Sequence, residues 1–154
     1  MKKITIFVLI CFTVMMFTAC GITGKEILYI ESYEWKMDAV MSNDISLADS
    51  DAVVAAVGAP DALYPNAKVV DLTLTAKGGE LTLVDATNHR TYTGTYIITE
   101  ETSKAITYEI VIDGITGSAT LSWGEQYEGD SVPTLPINLG AYSVYFLPHE
   151  TDTK

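Results

Sequence analysis

Residues 70–85 read VDLTLTAKGGELTLVD, and this stretch decides the fold class. Val70, Leu72, Leu74 and Ala76 alternate with Asp71, Thr73 and Thr75, and Leu81 and Leu83 resume the alternation beyond Lys77-Gly78-Gly79-Glu80. A period of two sends apolar side chains to one face of a strand and polar ones to the other. Adjacent glycines supply the positive φ that a tight hairpin turn requires. The stretch is a hairpin with one face to bury.

The same pattern continues outward from it. Tyr92, Gly94 and Tyr96 alternate with Thr93, Thr95 and Ile97, after a turn at Asp85 to Arg90. Past a second turn at Thr99 to Lys104, Ile106, Tyr108, Ile110 and Ile112 oppose Thr107, Glu109 and Asp113. Asp113-Gly114 leads into Ala119, Leu121 and Trp123, which oppose Ser118, Thr120 and Ser122. A polar loop from Gly124 to Pro133 precedes two short runs, Leu135 to Leu139 and Tyr142 to Leu147. Upstream, Tyr29, Glu31, Tyr33, Trp35, Met37, Ala39 and Met41 share one side of a strand, with Glu34, Lys36 and Asp38 on the other. Asp51 to Val57 admits a short helix capped by Asp51 or a strand; β-branched Val53, Val54 and Val57 favour the strand. Gly58 to Asn66 is a loop rich in helix and strand breakers.

No long helical period interrupts this series, so the chain is all-β. Sequential hairpins close naturally into an up-and-down antiparallel barrel of about eight strands, which removes exposed edges. A β-sandwich is the alternative, because periodicity does not report closure.

Several segments carry a resemblance. Glu34-Trp35-Lys36-Met37, Leu81-Thr82-Leu83-Val84-Asp85 with Thr87-Asn88, Thr91-Tyr92-Thr93-Gly94-Thr95-Tyr96 and Pro133-Thr134-Leu135 together resemble a group of small lipoproteins of Gram-positive bacteria. Those proteins are similar to lipocalin-like (calycin) barrels. The resemblance spans roughly Tyr33 to Phe146 and implies a fold rather than an activity. Tyr33 stands where lipocalins carry a glycine two residues before the first-strand tryptophan.

The N-terminus reads separately. Lys2 and Lys3 precede an uncharged run from Ile4 to Phe17, interrupted only by Thr5 and Thr13. A membrane-spanning helix needs about 20 apolar residues, so a run this short, with basic residues before it, is a signal peptide. Its end, Phe17-Thr18-Ala19-Cys20, resembles the lipobox of bacterial lipoproteins, although Phe17 replaces the usual aliphatic residue. The resemblance implies a diacylglyceryl group on the Cys20 sulfur, cleavage just before it and, often, a further acyl chain such as palmitate. Two chains suffice for stable anchoring. The expected organisation is a signal peptide at 1–19, a lipidated tether at 20–27, one barrel domain at 28–148 and a tail at 149–154. The expected location is the extracytoplasmic face of the cell membrane. Cys11 leaves with the signal peptide, so lipidation of Cys20 removes thiol and disulfide chemistry from the mature chain.

Charge narrows the partners. Without Lys2 and Lys3 the mature chain has seven basic residues against 20 acidic ones. That balance argues against nucleic acid, which requires a basic patch, and against the domain lying flat on anionic lipid. The acids are scattered along the chain, as on a solvated surface.

Motifs for chemistry are sparse. His89 and His149 are the only histidines, one in a turn and one in the expected tail; with no thiolate, a zinc site would need distant carboxylates to converge, and exposed loop histidines are the expectation. Two acidic loops, Asp44-Asp49-Asp51 and Glu125-Glu128-Asp130, carry oxygen ligands suited to calcium but lack the EF-hand spacing. No serine lies in a nucleophile elbow, and Gly78-Gly79 opens no helix that could cradle phosphate. The expected chain is not an enzyme and carries no cofactor. Trp35, Tyr96, Tyr108 and Trp123 all fall at alternating positions that turn inward, where aromatics either line a ligand pocket or fill a small barrel. The leading expectation is an envelope binding module for a small apolar or amphipathic ligand or a protein partner. The alternative is a structural or interaction lipoprotein with a filled barrel.

Overall fold

The hairpin of residues 72–85 lies in a ladder that closes on itself. The structure, a computed structural model, describes residues 29–44, 46–47, 52–57, 64, 66–125 and 131–149. A 3-10 turn, η1 (Ile30–Ser32), precedes β1 (Glu34–Ser42), β2 (Val53–Ala56), β3 (Lys68–Val69), β4 (Leu72–Lys77) and β5 (Glu80–Asp85). There follow β6 (Arg90–Glu101), β7 (Ala105–Ile112), β8 (Ile115–Glu125), β9 (Ser131–Leu139) and β10 (Tyr142–His149). From β4 to β10 each strand pairs antiparallel with the next, and β10 pairs with β1 from His149 opposite Glu34 to Tyr142 opposite Ser42. β1 returns to β4, with Trp35 opposite Leu74. These eight strands make a closed, antiparallel, up-and-down barrel, consistent with a lipocalin-like one. The unbroken circuit sets the sandwich aside.

The Gly78-Gly79 turn forms as the sequence dictates, with φ of 60° and 86°. Leu74, Leu81, Ile106, Ile110, Leu121 and Ile137 are buried on the inner face, each at the alternating position its strand assigns to it. The outer face of β4 to β6 is largely threonine: Thr75 opposes Thr82, which opposes Thr93. At Gly94 the walls of β6 and β7 approach so closely that a Cβ would meet the Val111 carbonyl oxygen. Only glycine fits there.

The structure departs from expectation in β1 and at the end of β10. The run expected to be strand from Tyr29 starts with η1 instead, so Ile30 is buried while Tyr29 and Glu31 are exposed. Ala39 and Met41 leave the inner face as well. A bulge between Met37 and Ala39 makes Asp38 an extra residue opposite β10, and one extra residue reverses the alternation. Val40 now packs against the barrel core, whereas Ala39 and Met41 pack outside it, with Val53, Ala56, Ala67 and Tyr64. That outer cluster is held by β2, which is the strand favoured for Asp51 to Val57; it pairs with β1 beyond the reach of β4, and β3 lies parallel to it. His149, expected in a tail, is the last residue of β10.

Strand direction defines the two ends. β1, β5, β7 and β9 begin, and β4, β6, β8 and β10 end, at the mouth where η1 sits.

Candidate functional site

At that mouth β4 runs past the start of β1, and η1 fills the gap. Ile30 drops into the opening and is fully buried. Its N–H donates to the Tyr108 hydroxyl at 3.2 Å, and its carbonyl accepts the Trp35 indole N–H at 2.9 Å. Two buried aromatics thus satisfy both backbone groups of one buried residue, which would otherwise cost desolvation energy. Trp35 and Tyr108 are each 0% exposed. They fill the interior; Tyr33 stacks edge-on against Trp35 at 5.1 Å and Tyr96 against Tyr108 at 5.8 Å.

Above this stopper lies a recess of about 460 Å³, lined by Tyr29, Ile30, Glu31, Ser32, Tyr96, Ile98 and Tyr108. Alternation places Tyr96 there, opposite Ile110 on the inner face of β6, and Ile98 follows opposite Tyr108. Glu31 is fixed from two sides: the Tyr96 hydroxyl and the Gly78 N–H, the latter at 2.8 Å, both donate to its carboxylate. The Tyr96 bond, first, and the Gly78 N–H hold its carboxyl below the usual range, with Lys77 adding to the effect. The Tyr29 hydroxyl donates to Glu101 at 3.1 Å, which pushes the Tyr29 phenol up. Burial, then the Glu31 bond, raises Tyr96, and burial raises Tyr108. The recess presents phenols that keep their protons and a carboxylate that has lost its own.

The sequence-derived aromatic set divides. Tyr96 and Tyr108 line the recess; Trp35 belongs to the core beneath it. Trp123, half-buried opposite Pro133 on β8, stands apart from the lining residues. Tyr29, Glu31 and Ile98 escaped the sequence reading. The available signal was Glu31 itself, an acid standing in an otherwise apolar register.

The other candidates do not converge. His89 turns between β5 and β6 at the far end, while His149 closes β10 at the stoppered end. Asp44 accepts the Ser46 N–H at 2.9 Å, a local turn contact. Asp49, Asp51, Glu128 and Asp130 lie outside the described residues, as do Cys20 and the segments 1–19 and 20–27; of Glu125 only the backbone is described. Among the described residues no three His, Cys, Asp or Glu gather as metal ligands, and no helix is long and apolar enough to cross a membrane.

No family model matches the chain, and no curated protein or solved structure matches it either.

Proposed function

We propose that the chain is an exported lipoprotein of the Gram-positive type, cut before Cys20 and held on the extracytoplasmic face of the cell membrane by lipid on that cysteine. Its barrel serves as a non-enzymatic binding module for a small amphipathic ligand or a protein partner. Lys2 and Lys3, the apolar run and Thr18-Ala19-Cys20 support the anchor. The observation that carries the binding role is the recess of about 460 Å³ over the stopper, a volume in the range of small-molecule sites. The ligand sits at the mouth, above Ile30, rather than in the interior.

The tether fits that placement. Tyr29, at the recess, is nine residues beyond Cys20, and nine extended residues span at most about 30 Å. The anchored chain therefore keeps the stoppered mouth within that distance of the bilayer. Labelled palmitate supplied to the host tests the anchor: the parent takes up label and stays with membranes, whereas Cys20→Ser does neither. Undiminished labelling of Cys20→Ser would refute it.

A second reading, a structural or interaction lipoprotein without a small ligand, draws on the filled interior beneath the recess. Native mass spectrometry of protein from host membranes separates the two, since only a binding module carries a stoichiometric small molecule.

A further inference from the structure

We propose that the mouth recess binds an organic ammonium ion carried on a short apolar body. The inference rests on the binding-module reading and names the ligand class for that site. Three features converge on a cation. Glu31 is ionised and fixed in place by Tyr96 and Gly78, so it meets a charge without first having to be ordered. Glu101 adds a second carboxylate beside the recess, bonded to the Tyr29 hydroxyl. Tyr29 and Tyr96 both line the recess, each bonded through its hydroxyl to one of the carboxylates, and aromatic faces attract ammonium groups.

The remaining surface calls for an apolar body. Ile98 is 44% exposed and Tyr29 47% exposed at the rim, costs in water that a hydrocarbon segment would relieve. Other ligand classes fit less well. An anion meets the Glu31 carboxylate with that of Glu101 nearby, and Lys77 acts on Glu31 only weakly, without an ion pair to it. A bare divalent cation needs six or more oxygen ligands for calcium, and no group of three acids gathers among the described residues. A neutral sugar leaves the fixed charge of Glu31 unused. The ammonium ion can come from a free amine or from a lipid headgroup, and the tether brings the mouth within reach of either.

The test uses the full chain in neutral detergent, with carbon-13 in the tyrosine rings, titrated with hexyltrimethylammonium, hexanol or hexanoate. Hexyltrimethylammonium should shift ring signals saturably and bind at least about tenfold more tightly than the two controls. Because Glu31 also holds η1, the decisive quantity is the ratio of ammonium to hexanol affinity. Glu31→Gln and the surface variant Tyr29→Ala should both reduce that ratio, by about tenfold and about threefold respectively. Competition by dihexanoylphosphatidylcholine that exceeds competition by choline would point to a headgroup, and the reverse to a free amine; either supports the ammonium assignment. Hexanol or hexanoate binding as tightly would overturn the assignment while leaving the mouth as the binding site. An unchanged ratio in both variants, or no saturable shift with hexyltrimethylammonium, would overturn it as well, whereas the binding-module reading is decided separately by native mass.

Discussion

Ile30 is the residue on which the stoppered mouth turns. Its side chain is buried between strands, and both its backbone groups are taken by Trp35 and Tyr108. Ile30→Ala should cost about 2–5 kcal/mol, the range for emptying a buried aliphatic site. Trp35→Phe keeps most of the ring but leaves the Ile30 carbonyl without its donor, and should cost about 1–3 kcal/mol. Thermal melting in neutral detergent checks both; unchanged midpoints would mean that η1 does not seal the barrel. Tyr108 was legible as inward-facing because β7 alternates cleanly, and Trp35 because it precedes the bulge in β1. Ile30 was not, since a 3-10 turn has a period near three and places it out of phase with the strand pattern. Alternation also gave direction without contents: it turned Tyr108 inward but left open whether the ring lined a cavity or filled one.

Two elements carry predictions of their own. In β1 the extra residue Asp38 sends Val40 into the barrel core and Met41 into the outer cluster under β2. Deleting Asp38 would exchange the two faces beyond Met37 and should abolish the cooperative melt; a deletion variant that melts like the parent would contradict the bulge. No turn residue or glycine marks this bulge, so the strand was legible and its change of face was not. In the turn after β5, Asp85 is only 7% exposed. Burial raises its carboxyl, but the Asn88 side chain and backbone N–H, the Thr87 N–H and nearby Arg90 outweigh this and leave it lowered. A lowered carboxyl adds stability above the unfolded-state value and loses it as the pH falls through the folded-state value. Between about pH 5 and about pH 2 the parent should therefore lose more stability than Asp85→Asn. Parallel acid limbs for the two proteins would show that Asp85 is not held ionised.

At the scale of the molecule, hairpin order was readable from turn residues such as Gly78-Gly79, and closure was the natural end of that order. What the sequence did not expose is how β1 divides one edge between β4 and β2, because that depends on where η1 stops and the bulge begins. The recess was hidden for the same reason: Glu31 comes from η1, Tyr29 from the residue before it, and Tyr96 and Ile98 from β6, which meet only once the barrel has closed. A filled barrel and a stoppered mouth, with the proposed anchor at Cys20 nine residues before Tyr29, make one proposed account: an anchored module that binds above its stopper. Native mass spectrometry of the protein extracted from host membranes tests it most directly. The account predicts a chain beginning at Cys20, carrying a diacylglyceryl group with or without a further acyl chain, and one small molecule that Tyr29→Ala weakens or loses. A chain with Cys20 unmodified, or a bound molecule that Tyr29→Ala retains undiminished, would contradict it.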